Sequence, residues 1–358
     1  MPEPQIPETT QPRRPGVLIR SLTAAWQALR LLVLAVIMLE VCCCVVVTTM
    51  NYVIYGKSRE GSRIVYDSLT LYTSAEGLRE TTPAPAARPG TERVIWFLGG
   101  STMRGDSTDA AHTLPSIICR ELSKDMPCVC LNLGVNSFNT LQEVQQLQKA
   151  QLERERWPDL IVFLDGANDT SYAIVGRSAN AHEGYARIKG YVESYWSTPF
   201  GVLKPLIAAA YASFTWELYS RLTYALEEIG ADSPLPGQVG QAMRARYDYV
   251  DRTARGMNAR FLAFLQPLAW QEAQAGGIPE AGLARRLELL PVMRANFSRM
   301  YGGMEAALQD RPYFVNLRGV FVGRDFIAYE PDGIHNTDQG REVLAQAMLP
   351  AIRSALAR

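Results

Sequence analysis

The sequence RVIWFLGGST, residues 93–102, joins a short apolar run to two glycines and a serine. The run at residues 93–98 predicts a strand that is buried on both faces and ends at Gly99 and Gly100. Strands of this kind belong to parallel sheets that helices cover on both sides. The stretch therefore predicts an α/β fold and puts Ser101 at the carboxyl end of a strand, where open α/β sheets bind their ligands.

Four later segments repeat the apolar pattern, and helical segments separate them. The predicted strands are residues 128–133, 160–164, 261–266 and 313–317. Two of the predicted helices are residues 113–124, with Thr113 at the N-cap, and residues 141–155. Since crossovers between parallel strands are right-handed, the alternation predicts a doubly wound, three-layer α/β/α sandwich with a parallel sheet of about five strands.

Charge and composition exclude one class of partner. The chain has 358 residues, with 36 lysine and arginine residues against 36 aspartate and glutamate residues, and its net charge at pH 7 is +0. Such a chain has no basic field with which to gather phosphates, so we expect no nucleic-acid partner. The length suits one sizeable core with additional segments.

One segment predicts a transmembrane helix. Residues 31–50 read LLVLAVIMLEVCCCVVVTTM, an apolar run interrupted by one charge, at Glu40. About 20 such residues cross a hydrocarbon core of about 30 Å as a helix. The run is longer than the apolar region of a signal peptide, and no Ala-x-Ala cleavage site follows it. We therefore assign residues 31–55 to a single span.

The charged residues beside the span predict its orientation. Four arginines precede it, the last of them Arg30, and three basic residues follow it closely. The positive-inside rule then puts residues 1–30, which we expect to be partly disordered, in the cytoplasm. Residues 56–90 are expected to form a juxtamembrane segment and linker. Residues 91–358 are expected to form a domain on the periplasmic or extracytoplasmic side.

Two stretches of that domain exceed what the crossovers require. They lie at about residues 171–258 and 268–310. The first contains a part rich in Tyr, Trp and Leu, which is either a lid or acyl-binding cap, or a set of extra helices packed on the scaffold.

Glu40 in the predicted span has two interpretations. A carboxyl group in lipid is costly and usually finds a partner, which favours a membrane protein bound through this helix. A protonated carboxyl in an otherwise very apolar helix is the alternative. Cys42, Cys43 and Cys44 beside it are most simply small apolar residues at a helix interface.

Ser101, Asp332 and His335 are the candidate catalytic residues. The two glycines before Ser101 let the backbone turn sharply and let a substrate approach closely. A serine nucleophile needs a neutral imidazole to take its proton, and that imidazole needs an acceptor to orient it. In the sequence Asp-Gly-Ile-His, residues 332–335, a turn can fold the carboxylate onto the ring. His112, by contrast, has no acid that we expect in a comparable position.

The ends of two further strands supply candidate donors for an oxyanion. Gly134 follows the strand at residues 128–133, where a backbone N–H can point into the crevice. Asn168 follows the strand at residues 160–164, and its side-chain amide can donate to the same point. These groups would form an oxyanion hole, in which one donor contributes about 10²–10³ in rate.

These segments resemble the sequence blocks of the SGNH/GDSL hydrolase superfamily, over about residues 93–170 and 313–350. The matching residues are Ser101 in the first block, Gly134 in the second, Asn168 in a Gly-x-Asn-Asp third, and Asp332 with His335 in a final Asp-x-x-His. The resemblance implies the flavodoxin-like fold of that superfamily, a serine nucleophile, and an oxyanion hole made by the backbone N–H of the serine with the glycine and the asparagine. It also implies that no cofactor and no metal take part.

One departure from the family pattern is visible. The first block of the family commonly reads Gly-Asp-Ser, whereas Gly100 precedes Ser101 in this chain. The aspartate is not the nucleophile of that block, so its loss bears on the bracing of the loop. The GGST form, with a following His-Thr-Leu-Pro-Ser, is similar to membrane-anchored bacterial members associated with envelope polysaccharides.

The cysteines beyond the span leave two arrangements open. Outside the cytoplasm, Cys119 and Cys128 can form a disulfide that closes a short loop, with Cys130 as a buried thiol. The other arrangement has three free, buried cysteines. Since the chain has only three histidines, its sequence shows no zinc-binding pattern.

Three functions fit these observations. The first is a membrane-anchored serine esterase that removes acyl groups, most simply acetyl, from a carbohydrate or a lipid-linked carbohydrate. The second is an O-acyltransferase that moves the acyl group to a hydroxyl of an envelope polysaccharide, with the help of a membrane partner. The third is a non-catalytic, polysaccharide-binding subunit. The presence of all four sequence blocks argues against the third function, because binding alone needs no catalytic base and no acid.

Overall fold

The computed structural model describes residues 17–55, 64–82, 92–153, 156–223, 227–271, 277, 279 and 281–357. Its helices and strands are, in chain order, α1 (Val17–Tyr55), β1 (Ile64–Asp67), β2 (Leu71–Ser74), β3 (Arg93–Gly99), α2 (Ser101–Arg104), α3 (Leu114–Leu122), β4 (Cys128–Asn132), α4 (Thr140–Glu153), β5 (Leu160–Asp165), α5 (Ala167–Gly176), α6 (Tyr185–Ser197), α7 (Lys204–Ala212), α8 (Phe214–Thr223), α9 (Leu235–Gly256), β6 (Arg260–Leu265), α10 (Ala281–Leu289), α11 (Pro291–Leu308), β7 (Phe314–Asn316) and α12 (Asp338–Leu356).

A five-stranded parallel sheet forms the centre of the domain. Its strand order is β4-β3-β5-β6-β7, and every neighbouring pair is parallel. The crossover through α3 runs in one direction along the sheet and the crossover through α4 in the other, so right-handed connections put these helices on opposite faces. Accordingly α3 packs with α12, and α4 packs with α9, which also contacts α11. The predicted three-layer α/β/α fold class is confirmed.

The strand order decides where a site can form. The chain leaves β3 toward β4 and then returns past β3 to β5, so the direction of winding reverses beside β3. A crevice opens at the carboxyl ends of the strands at such a reversal. The segments that follow β3, β4 and β5 therefore meet at one edge of the sheet.

A single long helix precedes the domain. Among the described residues, Arg20–Val53 is the one segment long and apolar enough to cross a membrane, with a mean hydropathy of 2.9 over its most apolar window. The whole of α1 has 39 residues, or about 58 Å at 1.5 Å per residue, which exceeds a hydrocarbon core of about 30 Å. Most of its large apolar side chains, such as those of Leu31 and Val36, are exposed, whereas that of Val47 is buried.

The antiparallel hairpin of β1 and β2 packs on the α/β domain. The ring of Tyr72 meets that of Phe138 edge to face, with 5.4 Å between the ring centroids, and its hydroxyl donates to the carbonyl of Ser137 at 3.1 Å. The Gln142 amide of α4 donates to the carbonyl of Thr70 at 3.2 Å. Residues 64–82, which the sequence suggested as a juxtamembrane segment, thus contact the loop that follows β4. Of the predicted juxtamembrane segment and linker at residues 56–90, residues 56–63 and 83–90 lie outside the described residues.

The side chain of Arg104 in α2 forms hydrogen bonds with the hairpin of β1 and β2 and the turn that follows it. It is only 1% exposed, and its guanidinium donates to the Ser74 hydroxyl at 2.9 Å and to the carbonyl of Gly77 at 3.0 Å. Its Nε donates to the carboxylate of Asp106 at 2.8 Å. A buried guanidinium is stable only when its donors find acceptors, so the hairpin is part of the support of α2.

The disulfide joins Cys119 to Cys130, with 6.1 Å between their Cα atoms, and Cys128 is a free, buried thiol. Both sequence-based arrangements were therefore wrong. Alternate residues of a strand share one face, so Cys128 and Cys130 both point toward α3, where Cys119 lies. Sequence spacing alone does not decide which of the two reaches Cys119.

We predict that peptide mapping under non-reducing conditions finds Cys119 linked to Cys130 and finds Cys128 alkylated once the protein is unfolded. Cys130→Ser should lower the free energy of unfolding by about 2–4 kcal/mol, because the bond restricts the unfolded chain. Cys128→Ser is the matched control and should preserve the bond. A Cys119–Cys128 link in the wild-type protein would contradict the assignment.

Candidate active site

Ser101 is the first residue of the short helix α2, which begins directly after β3. Gly100 before it is extended, with φ −78° and ψ −150°, and Gly105 ends the helix in the left-handed conformation at φ +75°. The first N–H groups of a helix have no partner within the helix. The backbone N–H of Ser101 therefore lies where it can bind a negatively charged oxygen beside its own hydroxyl.

Ser101, His335 and Asp332 form a continuous hydrogen-bonded chain. The Oγ of Ser101 lies 2.7 Å from Nε2 of His335, and Nδ1 of His335 lies 2.5 Å from Oδ2 of Asp332. The hydroxyl can donate to Nε2 when Nδ1–H donates to the carboxylate, which is the tautomer that a general base requires. The structure thus brings together the three residues predicted from the sequence, although the histidine lies 234 positions after the serine in the chain.

The loop before α12 holds the acid and the imidazole in place. Oδ1 of Asp332 accepts hydrogen bonds from the N–H groups of Ile334 at 2.8 Å and His335 at 2.9 Å, so its other oxygen faces the ring. Gly333 adopts φ +73°, and a Cβ there would come within 2.9 Å of the Trp270 indole nitrogen. That indole donates to the carbonyl of Asp332 at 2.7 Å.

The pKa shifts of His335 and Asp332 suit an imidazole that acts as a general base. Burial works against a charged imidazole, but the hydrogen bond and charge of Asp332, with the charge of Glu330, outweigh it and raise the pKa of His335 above its ordinary value. Burial likewise opposes the charged form of Asp332, yet its hydrogen bonds to His335 and Ile334 lower its pKa. Asp332 is therefore an anion that stabilises the imidazolium formed when the serine loses its proton.

Asn168 lies beside the nucleophile at the start of α5. Its Nδ2 donates to the carbonyl of Phe138 at 2.7 Å, and Asn168, Phe138 and Ser101 line the same cleft. A Cβ on Gly100 would lie 2.5 Å from this Nδ2 and 3.1 Å from the Phe138 carbonyl. The absence of a side chain at Gly100 therefore leaves room for the Asn168 amide and the Phe138 carbonyl against this turn.

Gly134 does not have the position that the sequence predicted. Its N–H donates to Oδ1 of Asn132 at 3.1 Å, and a Cβ there would meet the backbone of Arg104 at 2.8 Å. Gly134 packs against the end of α2, and its N–H is already used. The prediction that this N–H completes an oxyanion hole is therefore wrong, because a side chain of the preceding strand takes it.

The residues that follow Gly134 reach the cleft instead. Ser137 has φ +63°, which is uncommon for a residue with a side chain, and Phe138 after it lines the cleft with Ser101. The sequence analysis missed this turn. The polar pair Asn136-Ser137 between two apolar residues was the signal that marked it.

Two other side chains support the site from behind. Gln266 at the end of β6 donates through Nε2 to the hydroxyl of Thr102 at 2.9 Å and to the carbonyl of Ile334 at 3.0 Å. It thereby links the helix of the nucleophile to the loop of the base. Asn132 donates to the carbonyls of Met103 at 3.0 Å and Arg104 at 3.2 Å, at the end of α2. Neither residue was singled out from the sequence.

A buried group of carboxyls lies beneath the cleft. Burial, with the charge of Asp169, raises the pKa of Asp165 to about 7, although the Tyr247 hydroxyl donates to it at 2.7 Å. Burial and the neighbouring charge of Asp165 raise the pKa of Glu143 well above its ordinary range. Arg246 lies 3.5 Å from Asp169 and compensates one negative charge. The pair of Glu143 and Asp165 therefore retains a proton near neutral pH.

His112 has an acidic partner after all. Asp109, three residues earlier, approaches its Nδ1 to 2.8 Å, the same spacing in the sequence as Asp332 and His335. The expectation that His112 lacks a comparable acid was wrong. The His112 side chain is 48% exposed, and it is not among the residues that line the cleft of Ser101, so the pair lies outside the site.

One group at the site has the donor set of a metal centre. Glu330, Asp332 and His335 have ligand atoms within 4.8 Å of one another. Both ring nitrogens of His335 are already bound to Asp332 and Ser101. A metal ion could bind His335 only by breaking one of those two contacts.

Comparison with known proteins gave similarities only among solved structures. No protein-family profile and no curated protein matches the chain. The chain is similar to an extracellular lipase from Streptomyces rimosus (15% identity, 74% of this chain and 99% of the other, TM-score 0.39). It is also similar to the acetyl xylan esterase AlAXEase (11% identity, 72% and 99%, TM-score 0.39). A third is a GDSL-like lipase from Bacteroides thetaiotaomicron (13% identity, 74% and 89%, TM-score 0.38).

These structures are lipases and esterases, among them a protein of the GDSL type that the sequence blocks resemble. At these identities and TM-scores they carry no inference about substrate. The site described above, a serine, a histidine and an aspartate in hydrogen-bonded order at the carboxyl edge of a parallel sheet, is that of a serine hydrolase.

We predict that Asp165→Asn changes how stability depends on pH. The pKa of Asp165 is raised from 3.8 to about 7 on folding, so the folded protein holds a proton that the unfolded chain releases between those values. Stability should therefore fall as pH rises through this window, by up to about 1.4 kcal/mol per unit from one such group. Asp165→Asn removes this contribution.

The measurement is the melting temperature of the detergent-solubilised full chain at pH 5 and at pH 8. The variant should gain stability relative to wild type at pH 8, with a smaller gain at pH 5. Asp232→Asn, at an exposed position, is the control. An unchanged pH dependence in Asp165→Asn would contradict the prediction.

Proposed function

We propose that this protein is a membrane-anchored serine esterase that removes short acyl groups, most simply acetyl, from a carbohydrate or a lipid-linked carbohydrate. The geometry that carries the proposal is the contact of 2.7 Å between Ser101 and His335, with Asp332 behind the imidazole. Phe138 and Ile334 line the cleft beside the serine, which suits a small acyl group. The carbohydrate is an inference from the sequence resemblance.

The first half of the reaction forms an acyl-enzyme. Oγ of Ser101 attacks the carbonyl carbon of the ester, and its proton passes to Nε2 of His335. The negative charge on the carbonyl oxygen is stabilised by the N–H of Ser101 and by Nδ2 of Asn168. The bond to the leaving alcohol then breaks, and the imidazolium returns its proton to that alcohol.

The second half releases the acid. A water molecule gives a proton to Nε2 of His335 as its oxygen attacks the acyl carbon, and the same donors hold the second oxyanion. When the bond to Ser101 breaks, Oγ recovers the proton from the imidazolium. The net reaction converts an ester and water into a carboxylic acid and an alcohol, with the enzyme unchanged.

We place the catalytic domain outside the cytoplasm, with α1 as its anchor. The excess of arginines before the span supports a cytoplasmic N-terminus. The Cys119–Cys130 disulfide supports the same orientation, because such bonds persist in oxidising compartments.

The two alternatives differ in their support. An O-acyltransferase shares every step except the last, in which a sugar hydroxyl replaces water. Glu40 does not favour it, because its carboxylate already accepts hydrogen bonds from Thr215 of this chain. A non-catalytic binding subunit would need no general base and no nucleophile, so it does not account for the hydrogen-bonded chain of Ser101, His335 and Asp332.

We expect the detergent-solubilised full chain to hydrolyse p-nitrophenyl acetate and to be labelled at Ser101 by a fluorophosphonate. Ser101→Ala should lose the labelling and at least about 10³-fold in kcat/KM, because the nucleophile is absent. Ser123→Ala, an exposed serine outside the cleft, is the control. No turnover and no labelling of the wild-type protein would favour the binding subunit. Acyl transfer to added oligosaccharides, followed by mass spectrometry, would identify a transferase.

Asp332→Asn should change both the rate and its pH profile. The base acts only when neutral, so kcat/KM rises with pH through the pKa of His335, which Asp332 raises. Removing that charge should move the rise to lower pH. The plateau should fall by about 10⁴-fold, because the imidazole loses its tautomer. Asp109→Asn, in the matching pair with His112, should leave the profile as in wild type. An unshifted profile in Asp332→Asn would contradict the assignment.

A further inference from the structure

Three helices between α5 and α9 present an apolar surface outward. Among the side chains that the structure describes, none in α6, α7 or α8 is buried, although α7 reads KPLIAAAYA. The most exposed apolar side chains here are Trp196, Phe200, Val202, Leu206 and Leu222. An exposed apolar patch of this kind marks a surface that something other than water covers.

Helix α8 lies along α1 within the apolar segment. The carboxylate of Glu40 accepts hydrogen bonds from the N–H of Phe214 and from the N–H and hydroxyl of Thr215, the last two at 3.1 and 2.8 Å. Further along, Arg221 donates to Oδ1 of Asn51 at 3.0 Å. The two contacts show that α8 runs beside α1 in the same direction.

These contacts fix how deep α8 reaches. Asn51 lies two residues before the end of the apolar segment at Val53. Glu40 lies eleven residues before Asn51, which is about 17 Å along a helix. The start of α8 therefore lies about halfway through a hydrocarbon core of about 30 Å.

Helices α7 and α8 form one hairpin with its turn at that depth. Ser213 alone joins them, and the ring of Tyr211 lies 4.9 Å from that of Trp216 across the turn. Since α6 contacts α5 and α8 is followed by α9, both ends of the hairpin return to the catalytic domain. The hairpin therefore enters and leaves on the same side.

The backbone donors at the turn are all satisfied by protein. The Glu40 carboxylate accepts hydrogen bonds from the first two N–H groups of α8. The Ser213 hydroxyl accepts one from the N–H of Trp216 at 3.0 Å. The Ser213 carbonyl accepts one from the N–H of Glu217 at 3.1 Å. A helix end in water needs no such partners. Non-helical backbone at membrane depth is tolerated only when its polar groups are satisfied in this way.

The base of the hairpin has the residues of a membrane interface. Nζ of Lys204, the first residue of α7, lies 4.2 Å from the ring centroid of Tyr195 and 5.4 Å from that of Trp196. Aromatic side chains with a nearby lysine are typical of the boundary between hydrocarbon and water.

We propose that α7 and α8 form a re-entrant hairpin in the leaflet next to the catalytic domain, with lipid acyl chains as the occupant of its apolar surface. The proposal rests on the membrane anchoring of the proposed function. Glu40 caps the tip of the hairpin, and α6 connects the hairpin to α5, which carries Asn168. The hairpin thereby holds one wall of the catalytic cleft at the membrane surface.

Photocrosslinking of the full chain in nanodiscs of phosphatidylcholine and phosphatidylglycerol tests the proposal. Benzoylphenylalanine is placed at Leu206 in α7, at Leu34 in α1, or at Leu152 in α4, which are 66%, 56% and 84% exposed. After irradiation, mass spectrometry is expected to find lipid adducts at Leu206 and Leu34 and none at Leu152. Lipid at Leu34 without lipid at Leu206 would overturn the hairpin and leave the anchor intact. No lipid at either position would overturn both.

A substitution at the tip tests the role of Glu40. Glu40→Leu leaves two N–H groups unpaired, which hydrocarbon tolerates poorly, so the lipid adduct at Leu206 should fall by about tenfold or more. The adduct at Leu34 should stay unchanged. Glu40→Gln retains an acceptor oxygen and should preserve most of the Leu206 adduct. Equal Leu206 adducts in all three proteins would overturn the capping role.

Discussion

The hydrogen bond between Ser101 and His335 is the contact on which the site depends. It joins the end of the first strand of the sheet to the loop before the last helix, so the intervening domain must bring these two points together. Parallel strands do this because all their carboxyl ends lie at one edge. Gln266, directly after β6, adds a second link between the same two segments. The geometry of the site is thus a property of the whole sheet and not of any single loop.

The sequence predicted the parts of the molecule that depend on local pattern. The apolar runs gave all five strands to within two residues at each end, because a strand buried on both faces has little choice of residue. The Thr113 cap is present, with its hydroxyl accepting from Ser116. Ser101, Asp332 and His335 were found because each lies in a short segment with a chemical reason for its composition.

The errors fall where tertiary contacts decide between local options. Gly134 has the conformational freedom that an oxyanion donor needs, but the Asn132 side chain takes its N–H. Cys128 and Cys130 share a face, and only the position of α3 selects between them. Glu40 was open to two interpretations, and neither included the start of α8, which is 174 residues away in the chain. No periodicity encodes contacts of this range.

The burial of Arg104 has a consequence for where the catalytic unit begins. The Arg104 guanidinium donates hydrogen bonds to the Ser74 hydroxyl and to the Gly77 carbonyl. Both residues precede β3, the first strand of the parallel sheet. A fragment that starts at residue 64 retains those acceptors. One that starts at residue 92 keeps the carboxylate of Asp106 as a partner of the buried Arg104 guanidinium but loses the acceptors of Ser74 and Gly77. The unit that folds around the site is therefore longer than the α/β sandwich and includes the hairpin of β1 and β2.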